Sequence, residues 1–438
     1  MPRDLPGFYW DEEKKRYFPE SSRPAGSTPK PALPDAAPQQ QSRRRRRSPR
    51  RTSSESPPPK RPHAGEVTQS SNAWRSLGAL RGSTSSVHRR RCVHELEMEC
   101  LAQGVSKVEN IPISFDGPIT ALCTKVTGNH NKQLLVGDMT GWLYSLDPED
   151  PVAAMREFGL RSQITSITRS GSVCMVTSLG SPARLLATRD DAIGLWVLRE
   201  IPPALCSDVW CGQVWGRRAT VGGRKGLICF PDVERDSYLR LHSTSDVLSL
   251  CLQDENITYM GMRNGMISRW DSRQASGKTD TIVNMSEAGD EIGPGVGRGA
   301  ASVDHLRIVH GYELLVRTMR GDLETHDLRF LRNQTPFMQL KGHVPSYESI
   351  LGIAVDPGEK FVFAGGGDSH LRIWSLRTGQ LLPTNETNLA VTLDGTIARP
   401  AQPIRAMEIV EDDSKVQLWM ACSNTLSKVD LGPRGLFL

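Results

Sequence analysis

The chain has 438 residues, 54 Lys+Arg against 49 Asp+Glu for a formal charge of +5, and 38% apolar and 6% aromatic residues. That length allows two or three ordinary domains or one large repeat array. No apolar run reaches about 18 residues, so no membrane-spanning helix is expected, and MPRDLPGFYW lacks the apolar stretch of a secretory signal.

The first twenty residues gather Phe8, Tyr9, Trp10, Tyr17 and Phe18 around a polar DEEKKR stretch. The two aromatic clusters can bend back on each other as a hairpin. Such a hairpin is marginal alone and would gain from docking on a larger body, so residues 1–20 read as an aromatic docking motif. Residues 21–85 are rich in Pro, Ser, Gln and Arg and include QQQSRRRRRSPRRTSSESPPPKRP. They bury too little apolar surface to offset ordering entropy, and are expected to be disordered. Residues 1–92 carry 20 Lys+Arg and 8 Asp+Glu, whereas the remainder carries 34 and 41, so a basic tail precedes a mildly acidic body.

From residue 86 onward, short apolar or alternating runs recur between Gly/Asn/Asp turns, with no convincing helical stripe. The nine cysteines are scattered without a CxxC, which points to a reducing compartment. The strand periodicity predicts an all-β body, and four strands in a repeating unit select a β-propeller. The clearest unit is KGHVPSYESILGIAVDPGEKFVFAGGGDSHLRIWSLRTGQLL from Lys341. It predicts strands over Ile350–Val355, Phe361–Gly365 and Leu371–Leu376, with a tight turn at Asp368-Ser369. Weaker copies span Pro118–Leu146, Ile164–Leu198, Val209–Phe230, Asp246–Arg273, His305–Arg329 and Ile404–Leu431. That makes seven blades, with a period above the usual 40–45 residues that long loops account for. Val87–Gln103 is expected to supply the last outer strand or to cover one face.

The clear unit resembles a WD repeat. The resemblance implies a buried structural tetrad with His343, Asp368 and Trp374 as three members, and Gly365 at the place of the fourth, usually Ser or Thr. No Walker loop, GxSxG, HExxH or DxDxDG pattern is present. The ten histidines show no metal spacing, and GPGVGRG near Gly293 joins no strand to a helix. No catalytic residue, cofactor or metal is assigned, and the chain is not expected to be an enzyme.

One surface motif stands out. Trp270-Asp271-Ser272-Arg273 ends the third strand of unit four, and His326-Asp327-Leu328-Arg329 ends that of unit five in the same register. Both give D-x-R at the rim of one face, so adjacent blades present Arg273 and Arg329, with Asp271 and Asp327 placed to orient them. Guanidinium forks suit an interface because they bind carbonyls or carboxylates from several directions.

The W-D-x-R pattern resembles the adaptor-binding box of cullin-4-associated factors, the WD-repeat substrate receptors of the cullin-4 RING ubiquitin ligase. Three blocks carry the resemblance further: LPGFYWDEEKKRYF at the start, DLRFLRNQTPFMQLKGHVPSYESI between units five and six, and GGGDSHLRIWSLRTGQLL. It implies that Arg273 and Arg329 contact the ligase's damaged-DNA-binding adaptor while Trp270, Asp271 and Asp327 hold the strand ends. A protein substrate of unknown identity would be recruited at the opposite face or the channel rim. His326 stands where the second box would have Trp. The alternative is a general WD-repeat scaffold in a nuclear chromatin or RNA-processing complex.

In the tail, Arg43, Arg44, Arg45, Arg46 and Arg47 are followed by Arg50-Arg51 and Lys60-Arg61. Nuclear import through an import receptor is the favoured use, with phosphate contacts to nucleic acid the other. No aromatic residue interleaves the run, so base stacking is not suggested. The expected location is nuclear, with cytoplasm as a second compartment, and no membrane partner is expected.

Overall fold

The computed structural model describes residues 8–11, 16–19, 86–105, 108–126, 132–151, 153–180, 182–189, 195–274, 277–286, 301–330, 335–348, 350–382, 402–412 and 414–437. The chain divides into two units, Met1–Glu66 and Val67–Leu438. In the first, Phe8–Asp11 pairs antiparallel with Arg16–Pro19, setting Tyr9 opposite Phe18 and Trp10 opposite Tyr17. This is the hairpin that the two aromatic clusters suggest. The arginine-rich run lies outside the described residues.

The second unit is a seven-bladed β-propeller. Six blades are four-stranded antiparallel sheets and one, blade 6, has three strands. Blade 4 is typical, running outward through Val247–Leu252, Ile257–Met262, Met266–Asp271 and Thr279–Asn284. Blade 5 follows as Val303–Val309, Glu313–Thr318, Leu323–Asp327 and Met338–Gln339. Blade 6 comprises Ile353–Val355, Phe361–Gly365 and Leu371–Ser375, within a residue or three of the expected bounds. Blade 7 takes Ile404–Glu411, Lys415–Cys422 and Thr425–Pro433 from the C-terminal stretch and Val108–Ser114 from the start of the body. That last pairing closes the ring and leaves no unpaired edge between its two ends.

The blades repeat at the level of single residues. In six of the seven, the register shifts at the start of the inner strand, as between Val247 and Ser249 or Val303 and His305. Such a bulge adds twist, which a blade needs to fan away from its neighbours. The core is divided in the same way: seven apolar clusters each straddle one boundary between blades. Cys251, Tyr259 and Ile267 of blade 4, for example, pack with Val303, Leu306 and Val316 of blade 5. No helix among the described residues is long and apolar enough to cross a membrane.

Val87–Gln103 corrects one of its two expected roles. It is an α-helix, Ser86–Gly104, and the outer strand comes from Val108–Ser114 instead. The alternative role, covering a face, is the one observed. His94, Met98, Leu101 and Val105 recur at helical spacing, and Leu101 and Val105 are fully buried in the cluster between blades 6 and 7, with Met98 packed against it. Burial of a leucine side chain stabilises by about 1.5–3 kcal/mol. Here it docks the helix on the face where the third strands end.

Candidate functional site

Third strands end at one face of the ring, and there the two D-x-R sequences form the same structure. In blade 4, Asp271 Oδ1 accepts from the backbone N–H of Arg273 at 3.1 Å and from its Nε at 2.9 Å, while Nη2 donates to Oδ2 at 2.7 Å. In blade 5, Asp327 receives the corresponding three bonds from Arg329 at 2.9, 2.9 and 2.7 Å. The aspartates are largely covered and the arginines stand out, with 64% of the Arg273 side chain and 54% of the Arg329 side chain exposed. Each carboxylate therefore orients its guanidinium, as the spacing suggested. The Arg273 hydrogen bonds hold the Asp271 carboxyl down at about 2, and those from Arg329 lower Asp327. Both remain ionised at neutral pH.

Behind the turns, the two blades differ. Trp270 is buried in the cluster between blade 4 and the preceding blade, which comprises Val209–Trp215, Arg218–Gly223, Gly226–Phe230 and Leu239–His242, with the Arg218 guanidinium 5.9 Å from its ring. His326 takes the equivalent place, is also buried, and bonds Glu324 Oε1 through Nε2 at 2.8 Å. Replacing Trp by His changes the support and leaves the arrangement of Asp327 and Arg329 the same. The Arg329 guanidinium lies 3.7 Å from the Tyr312 ring and 5.7 Å from Phe330.

A third turn of this kind was not legible as such. Blade 6 ends in Trp374-Ser375-Leu376-Arg377 at the same register, since Ser375 faces Phe361 as Asp271 faces Ile257. Ser375 Oγ accepts from the N–H groups of Arg377 and Thr378, each at 3.2 Å. Serine gives the arginine no anion, and Arg377 Nη1 instead donates to the Arg90 carbonyl of the helix at 3.1 Å. The helix thus covers on blade 6 the position that is open on blades 4 and 5.

The contact is pinned by His94. Its Nε2 is 2.7 Å from Ser375 Oγ and its Nδ1 is 3.4 Å from Glu97 Oε2. Because Ser375 Oγ already accepts two N–H bonds, its proton is directed to Nε2, which leaves Nδ1–H to donate to Glu97. Burial holds the His94 pKa below the usual value and keeps the ring neutral. Ser, His and Glu in series also occur in nucleophilic catalysis, but Ser375 is fully buried and His94 nearly so. The group acts as a clasp, extended by Lys360 Nζ donating to Glu97 at 2.9 Å and to the Leu436 carbonyl at 3.0 Å.

The expected tetrad is not assembled. His343 and Trp374 lie with ring centroids 6.3 Å apart, but Trp374 Nε1 donates to the Lys341 carbonyl and His343 Nε2 bonds the Gly365 carbonyl. Asp368 pairs with Arg372 Nη1 and Nη2 at 2.9 and 2.6 Å. Gly365 marks a close approach: a Cβ there would lie 2.9 Å from Ile404 Cβ. Gly137 and Gly261 meet Ile164 and Val303 in the same way. A further buried polar pair without a sequence signal is in blade 5, where Arg317 donates through Nε and Nη2 to Asp304, both at 3.0 Å.

One cavity among the described residues, of about 240 Å³, lies between the inner strands of blades 5 to 7, lined by Arg307, Val355, Met407, Glu408 and Glu411 among others. It brings together no nucleophile and base. Among the described residues no three His, Cys, Asp or Glu side chains are grouped to hold a metal.

No family model matches the chain. It is 28% identical over 162 residues to an uncharacterised WD repeat-containing protein of Caenorhabditis elegans, a stretch covering 34% of this chain and 25% of that relative. The structure superposes on the WD40 propeller domain of Doa1 with a TM-score of 0.52 at 13% identity, covering 76% of this chain and 99% of that domain. The structural likeness is one of fold, a β-propeller, and the sequence likeness over about a third of the chain is to a WD repeat-containing protein.

Proposed function

We propose that the chain is a non-catalytic substrate receptor of a cullin-4 RING ubiquitin ligase. It docks on the damaged-DNA-binding adaptor through Arg273 and Arg329 and holds a protein substrate for modification. The observation that carries this reading is the pair of identical turns on adjacent blades. Each offers an arginine oriented by a buried-side carboxylate toward one open face. Pre-ordered arginines lose less side-chain entropy on binding than free ones. Trp270 and His326 support the strand ends, while Asp271 and Asp327 aim the guanidinium groups. Ubiquitin transfer would follow from proximity, the receptor contributing position alone. Nuclear import by the Arg43–Arg47, Arg50, Arg51, Lys60 and Arg61 cluster belongs to the same reading.

Titration of the purified full chain against the purified adaptor tests it. Wild type binds, and Arg273→Ala/Arg329→Ala loses about a hundredfold or more in affinity with an unchanged melting curve. A folded wild type that does not bind the adaptor removes the receptor reading and leaves a WD-repeat scaffold of a nuclear chromatin or RNA-processing complex.

A further inference from the structure

The two open turns are not equal. Two exposed aromatic rings lie beside the Arg329 guanidinium, Tyr312 at 36% exposure and Phe330 at 77%, and Phe337 on the same blade is 61% exposed. Phe330 and Phe337 sit at the two ends of the connection between the third and outer strands of blade 5. They are held there by backbone bonds from Phe330 N–H to the Asp327 carbonyl and from Phe337 N–H to the Thr325 carbonyl. The Arg329 guanidinium sits over the Tyr312 ring, whereas no aromatic ring among the described residues lies under Arg273. Large aromatics exposed beside an ordered arginine are the composition of an interface centre rather than of ordinary surface.

Blade 6 shows how a turn of this kind is used. There Arg377 takes a main-chain carbonyl of the helix, and the same helix buries apolar side chains beside it. On blade 5, Asp327 occupies Nε and Nη2 of Arg329, leaving the Nη1 side for an acceptor.

We propose that Arg329, Tyr312, Phe330 and Phe337 form the centre of the docking face, and that the partner presents a main-chain carbonyl or carboxylate to Arg329 next to an apolar pocket that receives the two phenylalanines. This deepens the receptor reading and rests on it. Arg273 is then the flanking contact, despite carrying the complete W-D-x-R sequence.

The test uses the full chain and the purified adaptor, comparing wild type with Phe330→Ser/Phe337→Ser, Phe330→Leu/Phe337→Leu and Arg273→Ala. Both phenylalanines are solvent-facing, so each variant is expected to melt as wild type does. The serine pair is expected to weaken binding about thirtyfold or more and Arg273→Ala about tenfold or less. The leucine pair is expected to keep most of the affinity, because it keeps the apolar contact. Wild-type affinity in the serine pair, or a larger loss in Arg273→Ala than in the serine pair, overturns this assignment and leaves the receptor reading standing. No binding by wild type overturns both.

Discussion

Blades 4 and 5 on one side and blade 6 on the other share one backbone turn and differ by one side chain. Where Asp271 or Asp327 follows the third strand's penultimate residue, its carboxylate grips the arginine two residues on and holds it into solvent. Where Ser375 stands instead, the hydroxyl caps the same turn but leaves Arg377 ungripped, and the arginine reaches a helix carbonyl. The turn is therefore a repeat feature, while its use is set by the residue in the aspartate position. Charge keeps the arginine available outward, and a neutral cap releases it to the chain's own helix.

The largest way to break this contrast is to remove the helix. Leu101 is fully buried against blades 6 and 7, so Leu101→Ala is expected to cost about 2–4 kcal/mol in chemical denaturation. It should also raise hydrogen exchange over residues 86–104 and leave the proposed adaptor binding through blades 4 and 5 intact. Ser375→Ala is the next step down. It leaves His94 Nε2 and two backbone N–H groups without their partner, with an expected loss of about 1–3 kcal/mol. Equal stability of Ser375→Ala and wild type would show that helix docking rests on apolar contact alone.

The contrast also has a pH dependence. His94, His305 and His343 have pKa values held below the ordinary histidine value by burial, His343 down at about 4. The unfolded chain therefore takes up more protons than the folded one as the pH falls below about 6.5. Their contribution is present above that pH and is lost on acidification toward the folded values. Asp356, pushed up to about 6 by burial, and Glu408, also raised, act in the opposite direction. With three histidines against two carboxyls, the melting temperature is expected to be lower at pH 5.5 than at pH 7.5. His94→Gln should flatten that difference. The smallest effect is reserved for Asp271→Asn, which is expected to change melting little because the amide oxygen can still accept the Arg273 backbone N–H and the arginine itself is exposed. It should weaken the proposed adaptor binding about threefold by freeing Arg273.

Much of this architecture is legible in the sequence because blades repeat. Turn residues and short apolar runs mark seven units, and the strands Phe361–Gly365 and Leu371–Ser375 fall almost where the pattern puts them. The D-x-R spacing also carries its own geometry, since an aspartate two residues before an arginine can cap the turn and pair at once. The helix escaped because its buried stripe begins with a histidine, and the turn before it carries Arg90 and Arg91 where apolar residues would extend the pattern, so apolar periodicity alone is faint. Blade 6's turn escaped because serine conceals its equivalence to aspartate. Gly365 already marks the tetrad as lacking its Ser or Thr; beyond that, Asp368 has a nearer partner in Arg372, and Gly365 answers to Ile404 on the next blade, a contact that no local pattern records.

The seventh blade is built from both ends of the propeller chain: Val108–Ser114 pairs with Thr425–Pro433, roughly 300 residues later. On a ribosome the first of these strands emerges long before its partner exists, and the helix that precedes it has no blade 6 or 7 to lie on. The N-terminal segments must therefore wait, unpaired, through synthesis of almost the entire ring. Until the C-terminal strands are made, the Val108–Ser114 strand keeps an open edge that can pair wrongly with another chain.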